Sequence, residues 1–219
     1  MTATIVFDFD GVLLRGDSFA GYLRWRTRAR RRRVLAALPM LPLLPLMRHP
    51  RTLPWAARAF TRALTVGLDR RRFEAEIDAF CAIWLAGEGR VNAPLVERLR
   101  AHVAAGDRVF VVSGTAQYLL DGLLRELGVT GVTAVGSTIE FGRAGLYARR
   151  HTFGATKIAV LAEFGVIAPW AVSYSDSYAD LPILAAAQRA VLVEPSAAHE
   201  RLLRDALGDR IELIARAPA

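Results

Sequence analysis

Four acids, one hydroxyl and one ammonium are the residues of this chain whose types and spacing could do chemistry. Asp8 and Asp10 stand two apart in "TIVFDFDG", directly behind an apolar run and ahead of Gly11. Two carboxylates at the end of a buried strand repel each other and lose hydration, so the pair calls for a cation. Ser113 and Gly114 end a second apolar run, "DRVFVVSG". Asp176 ends a third, "WAVSYSD", with Asp180 four residues on. Lys157 precedes that third run and is the single lysine among 29 basic residues. Arginine serves as well as lysine in water, but its planar fork cannot replace a compact ammonium in a packed site. If these segments converge, the carboxylates can hold a hard divalent cation, most naturally Mg2+, through oxygen ligands. The hydroxyl, a backbone N–H and the ammonium can neutralise phosphate oxygens as charge develops. One aspartate can attack phosphorus to form an acyl phosphate, and another can give and then take a proton. The set suits phosphoryl transfer.

The elements that must position these groups can be read from periodicity. Thr4 to Phe7, residues 107–114, 170–176 and 189–193 read as buried strands, and 211–214 as a short last one. "VTAVGSTIEFGRAGLYA" reads as a strand and hairpin turning at "GRAG". Helices are predicted over 94–105, 116–127 and 155–164, from about Asp180, and from Ser196. Alternation of strand and helix makes an α/β fold with a doubly wound parallel sheet. Its site lies at the carboxyl ends of the strands. Between the first strand and residue 92 the pattern is helical instead. A helix is expected over 18–33, N-capped by Ser18, with Phe19, Tyr22 and Leu23 on its apolar face. Others are expected over 55–66, with Arg58 and Arg62 four apart, and over 70–86, with Phe73, Ile77, Phe80, Cys81 and Trp84 inward.

With 53% hydrophobic residues, the 219-residue chain can bury one large core and carry an insertion. One cysteine, Cys81, excludes a disulfide framework and fits a reducing cytosol as a buried small hydrophobe. No signal peptide is expected, since the N-terminus lacks a basic stretch and acids interrupt its apolar run. His49, His102, His151 and His199 lack metal-ligand spacing and read as surface positions, His151 being the one nearest the pocket. Asp17 suits a helix cap or a substrate contact equally.

Charge is unevenly spread. Residues 18–68 carry eleven arginines and no acid; subtracting those eleven from the net +8 leaves the rest of the chain at −3. This segment includes "RARRRR" and then "VLAALPMLPLLPLM" at 34–47, whose prolines 39, 42 and 45 break any regular helix. Fourteen apolar residues fall short of the roughly 20 needed to span a bilayer. The segment reads as a surface for an anionic partner.

"DFDGVLL", Ser113, Lys157 and "DSYAD" together resemble the four ordered motifs of the haloacid dehalogenase (HAD) superfamily. A lone DxDG is a weak signal, whereas four in order over residues 8–180 are a strong one. The helical insertion after the first motif and "YSDSYADLPIL" are similar to the phosphoserine-phosphatase-like subgroup, IB. The resemblance implies a Rossmann-like core at 1–16 and 91–219 and a C1-type helical cap at 17–90. It implies Asp8 as nucleophile and Asp10 as general acid and base. Asp8, the Asp10 backbone carbonyl and Asp176 would bind Mg2+, with Asp180 in support. Ser113, Gly114 and Lys157 would hold the phosphoryl group, Lys157 also restraining Asp8. One position departs: Thr152 stands where the subgroup often has cysteine.

Within the superfamily, the insertion resembles that of the phosphatidylglycerophosphatase C group, whose cap carries a comparable apolar segment. That implies a membrane phospholipid headgroup as substrate, phosphatidylglycerophosphate, and a peripheral place on the inner face of the cytoplasmic membrane. Apolar residues would enter the interface while residues 24–62 meet anionic lipid, with Trp25 and Trp55 at headgroup depth. The alternative is that 34–47 packs within the cap and the enzyme is a soluble phosphatase of phosphoserine type. A nucleic-acid-binding protein using "RARRRR" is disfavoured, because the clustered carboxylates repel a polyanion.

Overall fold

The computed structural model describes residues 2–29, 45 and 52–215. Seven strands form one sheet: β1 (Thr4–Phe7), β2 (Arg108–Ala116), β3 (Val132–Gly142), β4 (Gly145–Arg150), β5 (Trp170–Ser175), β6 (Ala187–Val193) and β7 (Ile211–Ile214). Their order is β4-β3-β2-β1-β5-β6-β7. All pairings are parallel except β3 with β4, the hairpin anticipated around Gly142–Gly145. The sequence reason is plain in β1 and β2. Ile5, Val6, Phe7 and Val109–Val112 are all buried, as strands covered on both faces require. Each such side chain contributes roughly 1.5–3 kcal/mol when fully buried. Phe7 and its register partner Tyr174 stack with ring centroids 4.1 Å apart, locking β1 against β5.

From β1 the chain winds outward to β2 and β3 on one side and to β5, β6 and β7 on the other. The end of β1 is therefore the place where strand order reverses, and there open α/β sheets form their binding crevice.

Helices flank the sheet: α1 (Ser18–Ala29), α2 (Leu53–Leu64), α3 (Arg70–Leu85), α4 (Ala93–Ala104), α5 (Gln117–Glu126), α6 (Thr156–Glu163), α7 (Leu181–Ala185) and α8 (Ala197–Leu207). The helix expected from Asp180 begins as a single 3-10 turn, Tyr178–Asp180, before α7. Residues 30–33 of the first predicted helix lie outside the described residues, as do 34–47 apart from Pro45.

Helices α1 and α3 do not form a separate core. Tyr22, Phe73, Ile77, Phe80 and Cys81 share one hydrophobic cluster with Phe7 and Val111 of the sheet. Gly21 lets α1 cross α3, because a Cβ there would fall 2.4 Å from the Trp84 ring. Arg26, 2% exposed, pairs with buried Glu76 of α3 and donates from Nε to the Leu64 carbonyl at 3.3 Å. One arginine of the basic segment is thus structural. Trp25, expected at lipid headgroups, is half-buried against Tyr22 and Phe80, while Trp55 is exposed.

Two histidines depart from the expected surface positions. His102 lies half-buried between Asp107, at 2.9 Å, and the Tyr174 hydroxyl, at 3.1 Å. His199 is half-buried with Nδ1 3.4 Å from the Asp176 carbonyl oxygen. Ser18 is also corrected. The cap of α1 is Asp17, whose Oδ1 accepts the Ala20 N–H at 2.8 Å, and Ser18 is the first helical residue.

Candidate active site

Asp8 follows β1, and its backbone N–H donates to the Tyr174 carbonyl at 2.9 Å, extending the β1–β5 ladder by one residue. This fixes the carboxylate above the sheet edge. Lys157, in the first turn of α6 and 2% exposed, donates from Nζ to Asp8 Oδ1 at 2.7 Å and to Asp180 Oδ2 at 2.8 Å. Asp180 caps nothing with its side chain; the same Oδ2 accepts from Ser175 Oγ at 2.8 Å. Residues 149 and 23 apart in sequence are thereby joined through one ammonium.

Asp10 is held differently. The Ser18 N–H donates to Oδ1 and the Ser18 hydroxyl to Oδ2, both at 3.0 Å. Thr115 Oγ1 lies 3.1 Å from that hydroxyl. The turn that makes this possible passes through Gly11 at φ +88°, where a Cβ would land 2.2 Å from the Asp176 carboxylate. Asp176 therefore packs directly on the backbone between Asp10 and Val12. Ser113 is fully buried near the end of β2, and its Oγ accepts the Thr115 N–H at 3.1 Å. Thr152 donates from Oγ1 to the Gly136 carbonyl at 2.9 Å and so anchors the segment before α6 to β3.

All seven predicted site residues, Asp8, Asp10, Ser113, Gly114, Lys157, Asp176 and Asp180, line one cleft of about 910 Å3. Asp17, Arg58, Arg62 and His151 line it as well. Sequence reasoning missed Ser18, Thr115 and Ser175, whose hydroxyls hold or neighbour Asp10 and Asp180. Their one advance signal was position, each lying within two residues of a motif or cap residue.

The electrostatics reflect crowded negative charge. Burial drives Asp8 well above the usual carboxylate range despite Lys157, and Asp180 and Asp176 push the same way. Burial pushes Asp10 up to about 7, with Asp17 adding and the Ser18 hydrogen bonds opposing. Burial also raises Asp176, with Asp180 reinforcing it. For Lys157, burial alone lowers the ammonium, but Asp8 and Asp180 outweigh it and hold it above the usual lysine value. Four acids, Asp8, Asp10, Asp176 and Asp180, around one ammonium leave an excess of negative charge that a hard cation can neutralise. Among the described residues no three His, Cys, Asp or Glu side chains stand at metal-ligand spacing. The expected set uses only two side-chain carboxylates, Asp8 and Asp176, with the Asp10 backbone carbonyl. The donors present are the hard oxygens such a cation takes.

The family model for haloacid dehalogenase-like hydrolases matches residues 5–185. The chain belongs to this family. Among solved structures, a protein of unknown function from Bordetella pertussis Tohama I is similar at TM-score 0.74 and 22% identity, covering 98% of this chain and 99% of that one. A substrate-bound phosphoserine phosphatase is similar at TM-score 0.64 and 13% identity, covering 99% and 94%. A phosphoserine phosphohydrolase-like protein from Francisella tularensis is similar at 0.61 and 14%, covering 97% and 95%. No curated protein matches the sequence. The family is one of hydrolases, and the solved structures share the fold.

Proposed function

We propose that this chain is a Mg2+-dependent phosphomonoester hydrolase working through an aspartyl phosphate on Asp8. The observation that carries it is the Asp8–Lys157–Asp180 triad, buried at the end of β1 in a cleft shared with Ser113, Asp10 and Asp176. Lys157, itself held by Asp180, ties down one oxygen of the Asp8 carboxylate. Asp8 attacks phosphorus, the ester P–O bond breaks, and Asp10 gives its proton to the leaving alkoxide. Asp10 then takes a proton from water, which attacks the acyl phosphate, releases inorganic phosphate and frees Asp8. Lys157, Ser113 and the Gly114 N–H neutralise the phosphoryl oxygens. Asp8, Asp176 and the Asp10 carbonyl would hold Mg2+, which would supply the positive charge that lets two anions, carboxylate and phosphate, meet.

For the substrate we infer a membrane phospholipid carrying a terminal phosphomonoester, phosphatidylglycerophosphate, hydrolysed at an anionic membrane surface. The support is the resemblance of the insertion to phosphatidylglycerophosphatase C, the basic run at 28–33, the cleft-lining Arg58 and Arg62, and exposed Trp55. A soluble phosphatase of phosphoserine type is the second reading, favoured by the phosphoserine phosphatase fold neighbours. Phosphate release from phosphatidylglycerophosphate in mixed micelles and from phosphoserine separates the two. Faster turnover of the lipid is expected, and preference for phosphoserine overturns the lipid reading. Asp8→Asn should abolish release from both, with its circular dichroism unchanged; activity in that variant removes Asp8 as nucleophile.

A further inference from the structure

His151 lines the cleft without a part in the chemistry above, and its hydrogen bonds define how it must act. Ser137 Oγ has three neighbours: the Gly114 carbonyl at 2.7 Å, the Thr152 N–H at 3.0 Å and His151 Nδ1 at 3.1 Å. A hydroxyl owns one proton. The carbonyl can only accept, so that proton goes to Gly114, and Oγ accepts from Thr152. The remaining contact requires the proton on His151 Nδ1. In the neutral ring Nε2 is then the bare acceptor, and it has no hydrogen-bond partner among the described residues.

The exposed ring is oriented by that hydrogen bond and by one stacking contact. It stacks on Phe153 with planes 6° apart and centroids 5.4 Å apart. Its Cε1 stands 3.4 Å from where a Cβ on Gly114 would lie, beside the backbone expected to bind phosphate. Partial burial, then the charges of Arg58 and Lys157, hold the imidazole below the usual histidine range against the pull of Asp17. An acceptor fixed next to the phosphoryl position, with two cations nearby, suits a neutral donor on the alcohol side of the ester. An ammonium there would face Arg58 and Lys157.

We propose that His151 Nε2 accepts a hydrogen bond from a hydroxyl on the leaving group, so that the cleft selects phosphate monoesters of polyols. This rests on the phosphatase reading and narrows its substrate class. His151 is a specificity residue, and the hydroxyl it reads can belong to a lipid headgroup or to free glycerol phosphate.

The test compares kcat/KM for glycerol phosphate and n-propyl phosphate, which differ in the hydroxyls, with phosphoserine run alongside, in the wild type, His151→Phe and His151→Gln. The wild type should prefer glycerol phosphate by about tenfold, the scale of one hydrogen bond between neutral groups. His151→Phe keeps the stack on Phe153 and should bring the ratio close to one, chiefly through KM. His151→Gln offers an amide acceptor and should recover part of the preference. Equal ratios in the wild type and His151→Phe overturn the proposal. So does a loss confined to phosphoserine, which would make the recognised donor an ammonium. If the wild type hydrolyses both esters without preference, only the subsite fails. If it hydrolyses neither ester, the phosphatase reading fails with it. Should His151→Phe lose both activities, His151→Leu repeats the comparison, and the same ratio decides. Phosphatidylglycerophosphate in micelles, run beside glycerol phosphate, distinguishes a lipid source from a free one by which of the two the wild type hydrolyses with the higher kcat/KM, and His151→Phe should weaken both in proportion.

Discussion

Lys157 carries a full charge into a buried position, and two carboxylates at 2.7 and 2.8 Å occupy two of its three donors. A guanidinium is wider, planar and longer, and would have to displace Asp8 or Asp180 to enter. Lys157→Arg is therefore expected to lower kcat by about 100-fold or more, as misplacement of a reacting group by even 1 Å does. Steady-state kinetics with a generic aryl phosphate measures this, and a near-normal rate would make the lysine's solitude accidental. The solitude was the legible part. Among 29 basic residues one ammonium stood out, as did paired acids at strand ends. Ser18 was not legible in the same way. Asp17 and Ser18 are both good capping types, so sequence could not tell which one capped α1. The contact of Ser18 with Asp10 exists only because the chain turns back through Gly11 and bridges Asp10 to Leu14.

At the scale of elements, α1, α2 and α3 are tied by a buried polar knot. Arg26 reaches Glu76 and the Leu64 carbonyl, and the Tyr22 hydroxyl donates to Glu76 at 3.0 Å. Removing one ion of a buried pair strands the other, at a cost of about 3–5 kcal/mol, whereas an apolar replacement of both is nearly neutral. Arg26→Met should thus lower the denaturant midpoint sharply, and Arg26→Met with Glu76→Leu should recover most of the loss. Sequence had placed Arg26 with the other arginines of a charged face, because type alone does not reveal which arginine of a run finds a buried acid. A second tie joins α4 to the sheet. Asp107 accepts the Ala3 N–H at 3.2 Å and lies 2.9 Å from His102 Nδ1, which holds its carboxyl below the ordinary 3.8. A group depressed on folding stabilises fully above its unfolded value and loses that effect as pH falls through the folded one. Asp107→Asn should therefore cost about 1 kcal/mol at neutral pH, and the gap to the wild type should close in acid below about pH 4. Urea titrations at several pH values check this, and a gap that persists in acid would assign the loss to packing.

For the whole molecule, the division between reaction and address is carried by charge. The site holds the excess of acids, while residues 18–68 of the insertion supply eleven arginines and no acid. Among the described residues no helix is long and apolar enough to cross a membrane. The membrane contact proposed above would fall to exposed cationic and aromatic side chains. The described part of the insertion narrows which groups can do that. Arg26 is consumed by Glu76, Trp25 is packed against the core, and Arg62 lies over the Tyr147 ring at 5.4 Å. Exposed Arg24, Arg28 and Trp55 remain, with the residues 30–33 that continue the run. Each arginine near an anionic surface is worth about 1 kcal/mol, screened within a Debye length of about 10 Å at 0.1 M salt. Replacing Arg30–Arg33 with glutamine should therefore weaken sedimentation with vesicles rich in anionic lipid by two orders of magnitude or more at low salt. The two proteins should converge as salt rises. Turnover of a soluble aryl phosphate should not change, because none of these four residues is among those assigned to the chemistry, Asp8, Asp10, Ser113, Gly114, Lys157, Asp176 and Asp180. Equal vesicle binding by the two proteins would remove the electrostatic basis for the membrane, and with it the main physical reason to prefer a lipid headgroup over a free phosphomonoester.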